Sequence, residues 1–410
     1  MDRTRKKSVK RYFDYSLLFV TIFIAGFGLI MIYSTSSYTA QMKFGNAQYY
    51  FKKQLMFMLL GFVAMYIAYR IDYHVWHKLA FPFFIFASLL VFALIPFGSE
   101  ANGATRWIRF GSIGVQPADV CKPAVIMMVS SAVCSYGTKL KKFRYVMLIC
   151  ILTGGVEAAL VFVISNNMSS AIIIFLIAFV QTFVAYPGYK IYVALTGLAA
   201  VAFGAFYSWI KKMAVSGNMT GKFRLNRILV WLNPEKYIDD KGYQTVQALY
   251  AIGSGGLFGK GLGKSLQKLG YIPESQNDMI FSVICEELGL FGAFCLIALF
   301  IVMLWRINHI AQNAPDLFGS MLATGVFAHI ATTQRSRSLG MATTRKLRII
   351  ANILIIKLRQ HFNRRQSRIL KQKSPQKLAY IYHHIFSPFA HNRITVFKSK
   401  IHYGGRDNGK

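Results

Sequence analysis

The sequence predicts an all-α protein, a polytopic bundle of transmembrane helices. Hydrophobic residues fill 54% of its 410 positions and charged residues only 15%, against about 25% charged in ordinary soluble domains. Apolar runs also recur along the chain at lengths near the roughly 20 residues that a bilayer crossing needs. A soluble chain of this length would require far more polar surface to cover its core.

Nine apolar segments justify the bundle. They run over Phe13–Tyr33, Leu55–Tyr69, Leu79–Phe97, Pro117–Tyr136, Tyr145–Ser165, Met168–Tyr186, Tyr189–Ile210, Met279–Trp305 and, more briefly, Leu317–Ala331. Lipid offers no partner to a free backbone N–H or C=O, so each segment is expected to be helical. The first run is long enough to span and no small-residue cleavage site follows it, so no removable signal peptide is expected.

Charge sets the expected orientation. The segment from Asp2 to Arg11 is strongly basic and ends where the first span starts. The positive-inside rule places it in the cytoplasm, together with Arg70–Lys78 and Lys139–Arg144. The links Ser34–Gln54 and Gly98–Gln116 then face outward, as does the long loop 211–278. That loop holds ten Lys/Arg against few acids, which the rule tolerates in a loop beyond about 60 residues. A basic outer loop suits an anionic, lipid-linked substrate. Plain attraction to anionic headgroups explains the charge equally well.

The formal net charge of +33 is unevenly spread. Residues 332–410 contain eighteen of the 48 Lys/Arg and only one of the 15 acids, Asp407. The chain therefore divides into a membrane domain, 1–331, and a basic tail, 332–410. The five cysteines lie in or beside apolar segments without a CxxC pair, so buried structural thiols are the simpler reading.

Several stretches carry a more specific signal. Gly242-Tyr-Gln244 is followed by Ala251-Ile-Gly-Ser-Gly-Gly256 and Gly259-Lys-Gly-Leu-Gly263. Then come Gln267-Lys-Leu-Gly-Tyr-Ile-Pro-Glu274, Asn277-Asp-Met-Ile-Phe-Ser282 and Glu286-Glu-Leu-Gly-Leu290. Upstream lie Phe13-Asp-Tyr15, Arg106-Trp-Ile108, Gln116-Pro-Ala-Asp-Val-Cys-Lys122, Arg224, Arg227 and Asn233-Pro-Glu235. In order and spacing this series resembles the SEDS family of bacterial peptidoglycan polymerases. Asn277 before Asp278 tilts the likeness toward the FtsW and SpoVE branch rather than RodA. Asp119 stands where the family usually has Glu.

The resemblance implies a ten-helix fold in the bacterial cell membrane and polymerisation of lipid II on its outer face during cell division. Lipid II is the undecaprenyl-pyrophosphate-linked disaccharide pentapeptide. Asp278 matches the family's essential aspartate, acting as a general base or holding a divalent cation such as Mg or Mn. A hydroxyl is a poor nucleophile until a carboxylate takes its proton, and a pyrophosphate leaving group needs cations around it. Lys122, Asp119, Arg106, Arg109, Arg224, Arg227, Gln244 and Lys260 are the candidate substrate-binding residues. The implied partners are a class B penicillin-binding protein transpeptidase and other division proteins, with no nucleic acid.

Bland roles compete with these. Asp278 opens the eighth span, where an Asp is a good helix N-cap. Lys122 at a span's end can snorkel, although Asp119 lies three residues earlier on the same helix face. The intramembrane carboxylates Glu157, Glu286 and Glu287 are expected to be hydrogen-bonded or ion-paired rather than catalytic. The glycines of 253–263 permit tight turns with positive φ, whether to wrap a phosphate or to form a surface loop.

The chain departs from the family near position 331. The family's Leu-Pro-Phe-x-Ser-Tyr-Gly-Gly element and tenth helix have no counterpart in 332–410. A reading-frame change accounts for the simultaneous loss of hydrophobicity and acidity. A basic regulatory tail and an unrelated domain are the alternatives. Eight complete spans and a truncated ninth are thus expected, with impaired folding or activity as the consequence. A lipid II flippase and an inactive scaffold for a transpeptidase are the competing functions.

Overall fold

The computed structural model describes residues 13–337 apart from 102–103, 111–112, 189, 216–234, 236–241 and 274. Arg224, Arg227 and the tail beyond Arg337 lie outside the described residues. Eight helices are long and apolar enough to cross a membrane, and a shorter apolar one follows. The protein is a multi-pass membrane protein.

Helix α1 spans Tyr15–Phe44, α2 Tyr49–Arg70 and α3 Tyr73–Phe92, with a one-turn α4 at Leu94–Phe97. Asp14 starts α1 by accepting the Leu17 N–H at 3.0 Å, and Asp72 starts α3 by accepting the His74 N–H. Gly45, in the left-handed conformation, ends α1. The expected wide link 34–54 shrinks to four residues because α1 runs eleven residues past Tyr33 and α2 begins early. Polar Ser34, Thr35, Ser36 and Thr39 sit inside α1, where helical backbone bonds are still the cheapest solution.

The link 98–116 is not helical. It forms a three-stranded antiparallel sheet, with β1 at Gly98–Ala101, β2 at Ala104–Phe110 and β3 at Ile113–Val115. Ile108 pairs with Val115, and Arg109 with Gly114. This small sheet caps an otherwise all-helical bundle.

Helix α5 covers Pro117–Tyr136. The next crossing is composite: α6 at Phe143–Ile149, a π-helical stretch at Cys150–Gly155 and α7 at Val156–Ser165. Asn167 caps α8, Met168–Ala185, by accepting the Ser170 N–H. Helix α9 spans Lys190–Val215. After it come α10 (Tyr243–Gly255), α11 (Ile280–Asn313) and α12 (Leu317–Arg337). The apolar part of α12 is Leu317–Thr333, and the helix continues as a polar turn to Arg337.

The core lies among α3, α5, α8 and α12. Ile174, Ile177, Val125, Val129, Met321 and Phe327 are fully buried there. Gly325 on α12 lets Ile126 and Gln181 approach so closely that a Cβ would stand 2.4 Å from the Ile126 side chain. Gln181 donates through Nε2 to the Ile126 carbonyl, Ser130 Oγ and the Met321 carbonyl, at 3.0–3.2 Å. One amide thus joins three helices. By contrast, none of the residues of α2 is buried, as lipid-facing apolar surface has no need to be.

Short links make successive helices antiparallel, so the ends fall on two faces. One face carries Asp14, bound to Arg306 at 2.7 Å, and Asp316, which accepts from the Tyr73 hydroxyl. The other carries the sheet, the start of α5 and the segment 256–279. The candidate site residues within the described chain sit toward this second face.

Candidate functional site

The site is built on a re-entrant segment. Helix α10 descends beside α11 until Gly255 reaches Cys285, where an added Cβ would lie 2.0 Å from the Cys285 carbonyl oxygen. The chain then runs alongside α11 as a series of non-helical turns. Lys260 N donates to Glu286 O, Gly261 N to Glu287 O, Leu290 N to Gly256 O and Phe291 N to Leu257 O, each at 2.9–3.0 Å. Helix α11 breaks to allow this. Gly289 adopts φ 71° and ψ −174° in mid-helix, which frees its neighbours' backbone groups for the segment.

Gly259, at φ 79°, packs so tightly that a Cβ would fall 2.2 Å from the Glu287 carbonyl oxygen. Only glycine satisfies both the conformation and the approach. Non-helical backbone at membrane depth is tolerated where protein pairs it, and here it is paired residue by residue. Of the glycines of 253–263, Gly255 and Gly259 are therefore packing elements against α11, while Gly256, Gly261 and Gly263 supply positive φ in the turns.

Two adjacent carboxylates hold the segment. Glu286, fully buried, accepts from Lys260 Nζ at 2.7 Å, from the Ser265 hydroxyl and from the Leu266 N–H at 3.2 Å. Ser254 lies between Lys260 and Glu286. Glu287, also fully buried, pairs with Lys268 Nζ at 2.7 Å and with the Ser34 hydroxyl of α1. Both carboxylates are thus ion-paired, as their cost in lipid requires. Glu157 is solved differently: it accepts from Ser88 Oγ at 2.8 Å and makes no ion pair among the described residues.

The candidate residues divide by what they touch. Lys260 is engaged by Glu286, so its ammonium braces the loop rather than projecting freely. Gln244 donates from Nε2 to the Pro273 carbonyl at 3.2 Å, tying the start of α10 to the end of the loop. Lys122 and Asp119 form a 2.6 Å pair, with the lysine side chain 10% and the aspartate 59% exposed. The half-buried His329 of α12 lies within electrostatic range of both. Arg106 and Arg109 fall on opposite faces of β2 because side chains alternate along a strand. Arg106 shares the side of buried Ile108, and its Nε is buried without a hydrogen-bond partner; Arg109 is exposed.

Asp278 stands at the end of the segment, exposed. It makes no hydrogen bond or ion pair among the described residues. The N-cap position of α11 belongs to Met279, with no side-chain capping bond, so the capping role considered for Asp278 is not realised. Helix α11 starts two residues beyond it, and the turn of 275–279 leaves its carboxylate free.

The donor set bears on a divalent cation. Among the described residues no group of three or more His, Cys, Asp or Glu side chains converges. Asp278 supplies one carboxylate. The loop's Asp239, Asp240 and Glu274 lie outside the described residues, and the chemistry below uses the chain's own side chains.

Sequence reasoning missed the cations and hydroxyls that serve the glutamates: Lys268, Ser34, Ser254 and Ser265. A signal existed, since two adjacent buried carboxylates demand cations and the flanking loop has three lysines, Lys260, Lys264 and Lys268. Nothing local showed that Ser34, 253 residues away, completes the pair.

Comparison with known proteins agrees with this architecture. The profile of the FtsW/RodA/SpoVE family of cell cycle proteins matches residues 15–344. The chain is 36% identical over 319 residues to a protein of Geobacter sp. strain M18 named probable peptidoglycan glycosyltransferase FtsW, covering 77% of this chain and 83% of that one. It is 34% identical over 326 residues to stage V sporulation protein E of Bacillus subtilis strain 168, covering 78% and 84%. The fold is shared with a chain from a peptidoglycan synthase complex that coordinates polymerization and crosslinking, at TM-score 0.61 and 21% identity, covering 86% and 98%. It is also shared with the rod shape determining protein RodA of Thermus thermophilus, at TM-score 0.54 and 20% identity, covering 86% and 97%. With a matching profile over most of its length and relatives at this identity, the chain belongs to the FtsW/RodA/SpoVE family of cell cycle proteins.

Proposed function

We propose that this chain is a peptidoglycan glycosyltransferase that polymerises lipid II, with Asp278 as its general base. The observation that carries the reading is the state of Asp278: an exposed carboxylate without a hydrogen bond or ion pair among the described residues, at the end of a segment anchored by ion pairs to two buried carboxylates. A base must be unencumbered and yet held in place, because geometry governs proton transfer.

In the proposed reaction Asp278 takes the proton of the acceptor sugar hydroxyl. The freed oxygen forms a bond to the donor's anomeric carbon, and the bond from that carbon to the pyrophosphate oxygen breaks. Undecaprenyl pyrophosphate leaves with the bonding electrons. Lys122 and Arg106 would stabilise that charge; Arg109, Arg224 and Arg227 are further candidates. Asp119 holds the Lys122 ammonium in place.

The basic N-terminus supports a cytoplasmic start and an extracytoplasmic site. A class B penicillin-binding protein transpeptidase is the proposed partner. The flippase reading is weaker, because two of the three carboxylates that would line a polar path, Glu286 and Glu287, are already bound to lysines, which leaves only Glu157 without an ion pair among the described residues. The tail 332–410 has no role in the reading. Its lack of the family's Leu-Pro-Phe-x-Ser-Tyr-Gly-Gly element predicts slower polymerisation than in a version carrying that element.

The test is Asp278→Asn in both forms, assayed for lipid II polymerisation and for flipping. Loss of polymerisation of about 100-fold or more, with flipping and thermal stability unchanged, is expected from removing a general base. Retained polymerisation with lost flipping would overturn the assignment.

A further inference from the structure

The two neighbouring glutamates of α11 are wired differently. Every partner of Glu286 lies within 254–266, so that cluster closes the re-entrant segment on itself and on α11. Glu287 reaches outward. Its Oε1 accepts from Lys268 Nζ and from Ser34 Oγ, each at 2.7 Å, and Ser34 Oγ also accepts from Lys268 Nζ at 3.0 Å. The three groups form a closed triangle between the segment, α11 and α1. Lys268 is 5% exposed, Ser34 7% and Glu287 fully buried. Seven residues on, buried Ser275 donates to the Thr35 carbonyl at 3.2 Å. Two successive positions of α1 thus grip the same segment.

Asp278 lies three residues beyond Ser275. Three residues of extended chain reach about 10 Å at most, so the Ser275 anchor confines Asp278 to a small region beside α1. Among the described residues the carboxylate itself has no bond to hold it. Its placement must come from the backbone that precedes it, and that backbone is anchored to α1 at Ser34 and Thr35.

We propose that Ser34, Lys268, Glu287 and Ser275 form a latch to α1 that positions Asp278 for proton transfer, making Ser34 and Lys268 positioning residues of the reaction. The latch rests on the assignment of Asp278 as the base, and its test separates the two. Ser34→Ala is the informative variant, because it cuts one of the two ties to α1 while leaving the Lys268–Glu287 ion pair intact. Glu287 keeps Lys268 through Oε1 and loses only the neutral Ser34 bond, which also reaches Oε2 at 2.8 Å, so the cost to the fold is smaller than that of breaking the ion pair.

The expected result in the full chain is faster amide hydrogen exchange across 268–279 with a melting temperature lowered less than by Glu287→Gln. The polymerisation kcat should fall about 10- to 100-fold with KM unchanged, since displacements near 1 Å cost rates of that order. Ser34→Thr, which restores a hydroxyl, should return both readouts toward the parent. If Ser34→Ala does not fold, Ser275→Ala makes the same test at the second anchor. Parental exchange and kcat in the folded variant would overturn the latch, as would a change in KM alone. Faster exchange in a chain whose parent shows no polymerisation would uphold the latch and count against the proposed function instead.

Discussion

The central helices and the re-entrant segment are held by opposite means. Helices α3, α5, α8 and α12 meet through apolar packing and small residues, with Gln181 as a polar tie across three of them. The segment 256–279 has few such contacts, and Leu257, Phe258, Leu262 and Leu266 are exposed. It is fixed instead by backbone pairing with α11 and by two Lys–Glu pairs whose carboxylates are buried. The contrast teaches where polar groups belong in a membrane bundle. A helix satisfies its own backbone and needs only fit, whereas a non-helical stretch must import partners for its backbone and charges.

The sharpest way to break the comparison is to block backbone pairing. Gly259→Ala places a Cβ on the Glu287 carbonyl at a positive φ, with a combined cost of about 3–5 kcal/mol. The segment should detach from α11 and polymerisation should vanish, while the α5–α8–α12 contacts persist in a cysteine cross-linking assay. A stable, active Gly259→Ala protein would show that the approach is dispensable.

Charge comes next. Glu287→Gln leaves Lys268 buried and unpaired, a loss of about 3–5 kcal/mol when one partner is removed. Replacing both with apolar residues, as in Lys268→Met with Glu287→Leu, should recover most of the thermal stability without recovering kcat. Equal recovery of both would mean that the pair serves only stability.

In the packed half, Gln181→Leu removes three interhelical hydrogen bonds but keeps the volume. Bonds of this kind contribute about 1–2 kcal/mol in membrane helices. A melting shift smaller than that of Glu287→Gln, with KM and kcat unchanged, is expected from differential scanning fluorimetry.

The smallest effect lies on the opposite face. Burial alone would raise the Asp14 carboxyl, but the Arg306 guanidinium and the N–H groups of Leu17 and Ser16 outweigh it, and its pKa falls below 3.8. A depressed folded-state value means the contribution is complete above the unfolded value and lost as pH drops through the folded one. Melting curves of the parent and Asp14→Asn should therefore differ near neutral pH and converge as pH falls through the depressed folded-state value. A difference that persists there would show that Arg306 is not the cause.

Much of the site was legible because its chemistry is local. The Asp119–Lys122 pair follows from i,i+3 spacing on one helix, and the structure forms it. The demand of Glu286 and Glu287 for cations follows from their place in an apolar run. The positions of Lys260 and Gln244 were visible, but their occupations were not. Their partners, Glu286 and the Pro273 carbonyl, are reached only when the loop folds back beside α11. The sheet at 98–115 escaped helix-period reading because its strands are only three to seven residues long.

The amino-acid sequence by itself determined the solvent and the number of crossings, and it singled out Asp278 as the residue to test. Hydropathy, charge and an ordered motif are properties of the chain before it folds. Tertiary structure alone decided which lysine meets which glutamate, that Gly289 breaks α11, and that Ser34 closes an ion pair 253 residues away. The reason is physical. A buried charge selects its partner by proximity in three dimensions, and only the closed bundle excludes the water that would otherwise serve any of them.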